Sequence, residues 1–209
     1  MFKNYMKYIE LREKLKNRSV FSLQDIRKFD PSFYRTRLSE WQKKGYIGKI
    51  VRGYYAFADM PQNDAWLFSV ANAIYSPSYI SLEMALSYYH VIPESVYGIT
   101  SVTARKTIIF RTRYSEFLYH KVSPRLIFGY NAVRSGTVVY RIAELEKAIL
   151  DFLYLHPELK TENDMRELRI DADEIKYQLD RARFDSYLRF FQNKALEQRA
   201  HVFFSAINI

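Results

Sequence analysis

Residues 22–57 read SLQDIRKFDPSFYRTRLSEWQKKGYIGKIVRGYYAF, and they contain the signals on which the fold prediction depends. Ser22 followed by Asp25 has the spacing of a capping box, with aspartate in place of the usual glutamate or glutamine. A short helix is therefore predicted to begin at Ser22. It ends by Phe29, because Pro31 pushes the residue before it out of the helical region.

A second helix is predicted directly after the first. Asp30 can cap it, and Pro31 suits its first position, where a missing N–H group has no cost. Gly45 is placed to end this helix in a left-handed turn. Two short helices joined by a few residues have the spacing of a helix-turn-helix.

The second helix has two different faces. Tyr34, Leu38 and Trp41 recur at i, i+4 and i+7, so they are predicted to face the core. Hydroxyl and amide groups suit the edges of DNA bases, and arginines suit guanine edges or phosphates. The opposite face and its flanks carry such small polar and basic side chains: Ser32, Arg35, Thr36, Arg37, Ser39 and Lys43.

The runs 46–51 and 54–57 are β-prone and are separated by Arg52-Gly53, which predicts a hairpin. Lys49 and Arg52 would lie on its arm and at its tip. A helix-turn-helix followed by a basic hairpin predicts a winged helix. The alternative is a pair of amphipathic helices and a hairpin within a general α+β domain.

The distribution of charge favours nucleic acid as the partner of this segment. The chain of 209 residues has a net charge of +9, from 32 lysines and arginines against 23 acids. Residues 1–58 hold 14 of the basic side chains and five of the acids, so they carry the whole excess. A basic segment beside a neutral remainder is typical of a nucleic-acid-binding module attached to a second domain.

Composition excludes several other classes of protein. The chain has no cysteine, which excludes disulfides, thiol catalysis and cysteine-bound zinc. No run of 18 apolar residues predicts a membrane span, and the charged first 14 residues do not form a signal peptide. We therefore expect a cytoplasmic protein without a membrane partner.

The rest of the chain predicts a second domain, with the boundary near residue 60. Before the boundary, a helix over residues 2–15 is predicted with Phe2, Tyr5, Met6, Ile9 and Leu15 inward. The second domain, 61–209, is predicted to be α+β, with a small antiparallel sheet and a helical C-terminal part. Ser81 is expected to cap its second helix. Four or five mostly antiparallel strands are predicted at 99–102, 107–111, 116–122, 126–129 and 137–142. Helices are predicted at 65–75, 81–89, 144–155, 161–168, 173–182, 184–191 and 194–204.

Few residues suggest chemistry. The four histidines are far apart in sequence, and none has a ligand partner at helical spacing, so no metal site is predicted. With six glycines and no nucleotide-binding or nucleophile motif, no cofactor and no enzyme activity are expected. Glu144, Glu146 and Asp151 are better explained by helix capping than by carboxylate catalysis. Arg105 and Lys106 form a basic turn that could hold a phosphate of nucleic acid or of a partner's RNA, although such turns are usually only solvated.

Three strings of sequence carry a family resemblance: YISLEMALSYYHVIPE at 79–94, ITSVTARKT at 99–107 and RIAELEKAILDFLYL at 141–155. In this order after RGYYAF, they resemble the AbiEi-type antitoxin family of transcriptional regulators over residues 21–155. Glu146 and Lys147 match the EKA motif of that family, and the resemblance implies that they fix this helix against the sheet. The resemblance implies a winged helix that represses its own operon by binding promoter repeats. It also implies a C-terminal domain that contributes to neutralising a separate nucleotidyltransferase-like toxin, often without a stable complex.

Together, the residues and the resemblance predict a DNA-binding transcriptional regulator and antitoxin. We expect the face from Ser32 to Lys43 to enter a major groove of double-stranded DNA. Lys49 and Arg52 are expected to contact the backbone or minor groove. Phosphate contacts are assigned to Arg27, Lys28, Lys43 and Lys44. The alternatives are direct binding of a toxin protein or its RNA substrate through the same basic face, and an enzyme built on the second domain.

Overall fold

The computed structural model describes residues 6–93 and 98–209, so the predictions for Phe2 and Tyr5 lie outside the described residues. Its composition of elements is mixed α+β. The first part contains α1 (Tyr8–Lys14), β1 (Phe21–Ser22), α2 (Leu23–Arg27), α3 (Thr36–Lys43), β2 (Ile47–Val51) and β3 (Tyr54–Phe57). The three strands form an antiparallel sheet in the order β1-β3-β2.

Helix α1 is shorter in the described residues than predicted, and one of the residues predicted to face the core is replaced by another. Met6 and Leu15 are buried as expected, but Ile9 is 78% exposed. Leu11 occupies the core instead, because Leu11 and Leu15 lie one helical turn apart on the same side.

The capping box at the start of α2 is confirmed. The Asp25 N–H donates to Ser22 Oγ at 3.3 Å, and the Ser22 N–H donates to Asp25 Oδ2 at 3.0 Å. These two reciprocal bonds satisfy backbone donors that the first turn of a helix leaves unpaired.

The predicted start of the second helix is wrong, since α3 begins at Thr36 and not at residue 31. Asp30 caps a turn instead: its Oδ1 accepts from the N–H and the hydroxyl of Ser32, and its carbonyl accepts from the Phe33 N–H at 3.0 Å. This local turn competes with helix formation. It buries Phe33 against Trp41, with ring centroids 5.5 Å apart, and leaves Tyr34 51% exposed.

The end of α3 and the hairpin agree with prediction. Gly45 has φ +73°, and the Tyr46 N–H donates to the Trp41 carbonyl, which closes the helix C-terminus. Val51 pairs with Tyr54 across a two-residue turn in which Gly53 has φ +91°. A left-handed residue at this position is what such a tight hairpin requires.

The second part is built on a mixed sheet that is larger than predicted. The strands are β4 (Ser78–Ile80), β5 (Ile99–Thr103), β6 (Ile108–Arg111), β7 (Glu116–Lys121), β8 (Tyr130–Ser135) and β9 (Val138–Ala143). Their order in the sheet is β6-β7-β5-β4-β9-β8. The pairs β4–β9 and β5–β7 are parallel, and the other three pairs are antiparallel.

Two differences from the predicted strands have local causes. Strand β4 was not predicted, because its three residues are all buried and show no alternation of polar and apolar side chains. The predicted strand at 126–129 is wrong: Pro124–Leu126 form a 3-10 turn, and Gly129 has φ +67°. The strand of this region is β8, which begins at Tyr130.

Seven helices of the described chain complete the second part. The seven helices are α4 (Asp64–Ile74), α5 (Leu82–Tyr88), α6 (Leu145–Leu155), α7 (Glu162–Glu167), α8 (Ala172–Gln178), α9 (Arg181–Phe191) and α10 (Lys194–Ala206). Helix α4 packs against β4 and β9. Helix α5 packs against α6, which also contacts α9 and α10.

The two parts of the chain are in contact. Trp66 Nε1 of α4 donates to the Ser19 carbonyl at 3.2 Å, and the hydroxyls of Ser69 and Ser19 are 2.8 Å apart. Gly48 of β2 lies against the side chains of Arg113 and Tyr114, in the turn between β6 and β7. The buried apolar side chains of both parts form one continuous cluster, and the boundary at residue 60 stays a prediction.

Candidate nucleic-acid interface

A concave surface lies between α2, the start of α3 and the tip of the β2–β3 hairpin. Its volume is about 530 Å³. We call it the arginine groove, because three arginines from three separate elements line it. Its residues are Ser22, Leu23, Gln24, Arg27, Arg35, Leu38, Arg52, Gly53, Tyr54 and Tyr55.

Local structure places each arginine at the end of an element. Arg27 is the last residue of α2, Arg35 is the N-cap residue of α3, and Arg52 occupies the hairpin turn. All three side chains are exposed. Within residues 6–93 and 98–209, none of the three forms a salt bridge, so their charges remain available to an anionic partner. Three exposed guanidinium groups that line one groove favour a polyanion as its partner.

The outward face of α3 adjoins Arg35. Thr36, Ser39 and Lys43 lie at i, i+3 and i+7, and all three are exposed. Glu40 is exposed on the same face and brings one negative charge to it. The face therefore offers two hydroxyls, one ammonium and one carboxylate, which are groups that can pair with base edges.

Two residues predicted for DNA contact have their side chains engaged by other residues of the same segment. The guanidinium carbon of Arg37 lies 5.8 Å from the Phe33 ring centroid and 5.3 Å from that of Trp41. This geometry is that of a cation–π contact with the core. Ser32 precedes the helix, and its hydroxyl donates to Asp30 Oδ1 at 2.9 Å.

The remaining predicted lysines differ in their surroundings. Lys28 pairs with Asp25 at 3.2 Å, and Arg18 pairs with the same carboxylate at 3.3 Å. Burial acts to raise the pKa of Asp25, but hydrogen bonds from Ser22 and Lys28 and the charge of Arg18 hold that pKa below its usual value. Lys44 and Lys49 are exposed and lie outside the arginine groove.

The basic turn proposed as a second surface is held against α4. The Arg105 guanidinium donates to the Ser76 carbonyl at 3.3 Å and lies 4.0 Å from the Tyr75 ring centroid. Tyr75 Oη donates to the Lys106 carbonyl at 3.0 Å. The Arg105 and Lys106 side chains are both exposed, but Arg105 is engaged by these contacts within the protein.

A buried polar cluster joins α6 to β4, and its members Tyr79, Ser81 and Asp151 were not predicted as partners of Lys147. Tyr79 Oη donates to Asp151 Oδ2 at 2.8 Å, Ser81 Oγ donates to the same oxygen at 2.9 Å, and Lys147 Nζ donates to Tyr79 Oη at 2.8 Å and also to Asp151 Oδ1. The Ser81 side chain thus hydrogen-bonds to Asp151. Contrary to prediction, it does not cap α5. The only sequence signal was a lysine and an aspartate at i, i+4 within an apolar helix.

The location of this cluster argues for a structural role. Tyr79, Ser81, Lys147 and Asp151 are 0% exposed, so no substrate reaches them from the surface. Burial lowers the pKa of Lys147, which the charge of Asp151 opposes. Burial also raises the pKa of Tyr79 well above its usual value, and the Asp151 carboxylate adds to this effect.

Glu144 and Glu146 contact α9 and not the backbone of α6. Glu144 is the N-cap residue of α6, but its Oε2 accepts from Tyr187 Oη at 2.6 Å. Glu146 Oε1 accepts from the Asp180 N–H at 2.7 Å, and Arg183 lies 3.6 Å from its other oxygen. The predicted capping by the Glu144 side chain is therefore replaced by contacts that hold α9 against α6.

No three histidine, aspartate or glutamate side chains of the described chain come together as metal ligands would. Among the helices of residues 6–93 and 98–209, none has both the length and the apolar character that a membrane crossing requires. No family model matches this chain, and none of the curated proteins matches it significantly.

Proposed function

We propose that this protein is a DNA-binding transcriptional regulator that uses its first 60 residues as a winged helix. The observation that carries the proposal is the arginine groove. It places exposed Arg27, Arg35 and Arg52 beside the polar face of α3, in the segment that holds the entire net charge. Phosphates dominate the affinity of proteins for DNA, and guanidinium groups bind them in a bidentate manner.

The order of elements supports the same proposal. A helix, a short strand, two helices and a two-stranded hairpin follow one another, and the short strand pairs with the second hairpin strand. In a winged helix of this order, α3 is the recognition helix and the turn at Arg52 is the tip of the wing. We assign base contacts to Arg35, Thr36, Ser39 and Lys43, and backbone contacts to Arg27, Lys28, Lys44, Lys49 and Arg52.

Arg37 and Ser32 receive supporting roles in this proposal. Arg37 fixes the angle of α3 by its contacts with Phe33 and Trp41, and Ser32 stabilises the turn at Asp30. A recognition helix must be held rigidly if its side chains are to reach base edges with the correct geometry.

We further propose that the regulator is the autorepressing antitoxin of an AbiE-like operon. The support is the sequence resemblance together with the location of its motifs. Residues 79–93 contain the end of β4 and all of α5, residues 99–107 contain β5, and residues 141–155 contain the end of β9 and all of α6. Strand β4 lies between β5 and β9, and α5 packs on α6, so the three motifs occupy one contiguous region. In this proposal the partners are promoter repeats and a nucleotidyltransferase-like toxin, and the protein is not an enzyme.

A salt titration tests DNA binding. Purified protein is mixed with the DNA upstream of its own gene and with scrambled DNA of equal length, and binding is followed by fluorescence anisotropy. We expect a preference of about 10³ or more and a steep dependence on salt. Equal and weak binding to both would contradict the proposal.

The second candidate function is binding of an acidic toxin or its RNA substrate through the same surface. The concavity of the arginine groove favours it, because a cleft suits a single strand as well as a duplex edge. A stable complex that co-purifies and is weakened by Arg35→Ala, with no preference for upstream DNA, would support this alternative.

A further inference from the structure

A second cavity lies in the other part of the protein, between α5, α6, α10 and the loops beside them. Its volume is about 280 Å³. Nine of its twelve lining residues are apolar, among them Ile149 and Phe152 of α6 and Phe203 of α10. An engineered cavity of about 150 Å³ admits benzene. This one has room for a ring and a short chain.

Among the described residues, three polar side chains line the cavity, and His156 contacts both Glu83 and Glu158. His156 Nε2 lies 3.3 Å from Glu83 Oε1, and His156 Nδ1 lies 2.7 Å from Glu158 Oε1. An imidazole ring donates from both nitrogens only when it is protonated. The Phe152 ring lies 4.4 Å from the His156 ring and forms the transition to the apolar wall.

Glu83, His156 and Glu158 form the polar edge of the cavity, and the negative charge of Glu83 is only partly compensated there. Two carboxylates flank the single ring of His156. Glu158 also interacts with the positive charge of Arg199, whereas the second charge partner of Glu83 is His120, whose pKa burial lowers. Glu83 is about one-third exposed, and a carboxylate has about four acceptor sites. It can therefore accept from a ligand while it keeps its contact with His156. The pKa values of Glu83 and Glu158 are both lowered by their contacts, with burial acting in the opposite direction, so both stay ionised near neutral pH.

We propose that this cavity binds a small amphipathic cation, with its apolar body between α6 and α10 and its ammonium group on Glu83. An anion is disfavoured because two carboxylates form the polar edge. A neutral alcohol gains the apolar contacts but lacks the charge-assisted hydrogen bond, which is roughly twice as strong as a neutral one. The proposal does not depend on DNA binding.

The test compares three probes of matched shape on the full chain: 2-phenylethylamine, 2-phenylethanol and 3-phenylpropionate. Binding is measured by isothermal titration calorimetry and by ligand-observed NMR. We expect one amine per chain, bound about tenfold or more tightly than the alcohol, with the anion weakest. Equal affinity for amine and alcohol, or no binding of any probe, would overturn the proposal.

Variants locate the site. Glu83→Gln keeps the shape of the cavity and should reduce the affinity for the amine by about tenfold while leaving that for the alcohol unchanged. Leu159→Trp fills the cavity from its edge and should weaken both. Glu40→Gln removes an exposed carboxylate of α3 and should change neither. Circular dichroism verifies folding, and Glu83→Gln decides the outcome if Leu159→Trp does not fold. An unchanged affinity of Glu83→Gln for the amine would refute the assignment.

Discussion

The guanidinium carbon of Arg37 lies over the Trp41 ring, 5.3 Å from the ring centroid, whereas the side chain of the nearby Arg35 is exposed. Two arginines that look equivalent in sequence therefore have different surroundings. One belongs to the core side of α3 and the other to the arginine groove. This difference makes the pair a direct test of how the surface works.

Arg37→Ala should act on stability. Loss of the contacts with Phe33 and Trp41 is expected to cost about 0.5–2 kcal/mol of unfolding free energy, which is a few degrees in Tm. Urea or thermal unfolding measures the change. Because Arg37 positions the recognition helix in the proposed complex, the preference for upstream DNA per folded molecule should fall as well. A loss of that preference with no change in unfolding free energy would show instead that Arg37 reads sequence.

Arg35→Ala should act on recognition and leave stability nearly unchanged. We expect a loss of about 1–3 kcal/mol on upstream DNA and a relaxed sequence preference. Lys49→Ala is the matched control, because Lys49 is also exposed and unpaired by salt bridges in the described residues but lies outside the arginine groove. It should weaken all sequences alike and reduce the salt slope by about 1. Equal loss of specificity in both variants would contradict the assignment of readout to α3.

The buried pair on α6 predicts a large effect on stability. Lys147→Met and Asp151→Asn each leave part of a fully buried network without a partner, and a cost of about 3–5 kcal/mol is expected. Asp151→Asn should be the more damaging of the two, since Asp151 accepts from three side chains.

An exposed pair of the same spacing supplies the control for that experiment. Arg166 and Glu162 lie at i, i+4 on α7 and are 2.7 Å apart. Arg166→Met should cost no more than about 1 kcal/mol, because solvent screens exposed ion pairs. Urea unfolding of all three variants gives the comparison. Similar costs for Lys147→Met and Arg166→Met would mean that the buried network contributes little.

The contacts of His156 predict a dependence of stability on pH. The hydrogen bond with Glu83 raises the pKa of His156, burial opposes this, and Glu158 adds to the increase. A raised pKa means that the folded state binds the proton more tightly. The stabilisation is then fully present below the ordinary value of 6.5 and is lost as the pH rises through the folded-state pKa.

The difference in unfolding free energy between the unmodified protein and His156→Gln isolates this contribution. We expect the difference to be larger at about pH 5.5 than at about pH 8. His120 must be kept in both proteins, because burial lowers its pKa and its own contribution has the opposite sign. A difference that does not vary with pH would contradict the ion pairs of His156.

The features that were predicted correctly are those that local interactions determine. The capping box of Ser22 and Asp25 involves residues three apart, Gly45 ends α3 by its own backbone conformation, and Arg52-Gly53 closes a two-residue turn. The apolar residues of α6 recur at helical spacing, so its core face could be recognised without knowing what packs on it.

The sequence by itself therefore determined the α+β class, the order of most elements and the segment that carries the charge. Tertiary structure decided what depends on distant residues. It placed the three-residue strand β4 between two partners, buried Lys147 beside Tyr79 and Ser81, and turned Arg37 toward Trp41. It also gathered Arg27, Arg35 and Arg52 from three elements into one groove. Spacing along a chain encodes which residues share a face of one element, whereas burial and proximity arise only when several elements pack together.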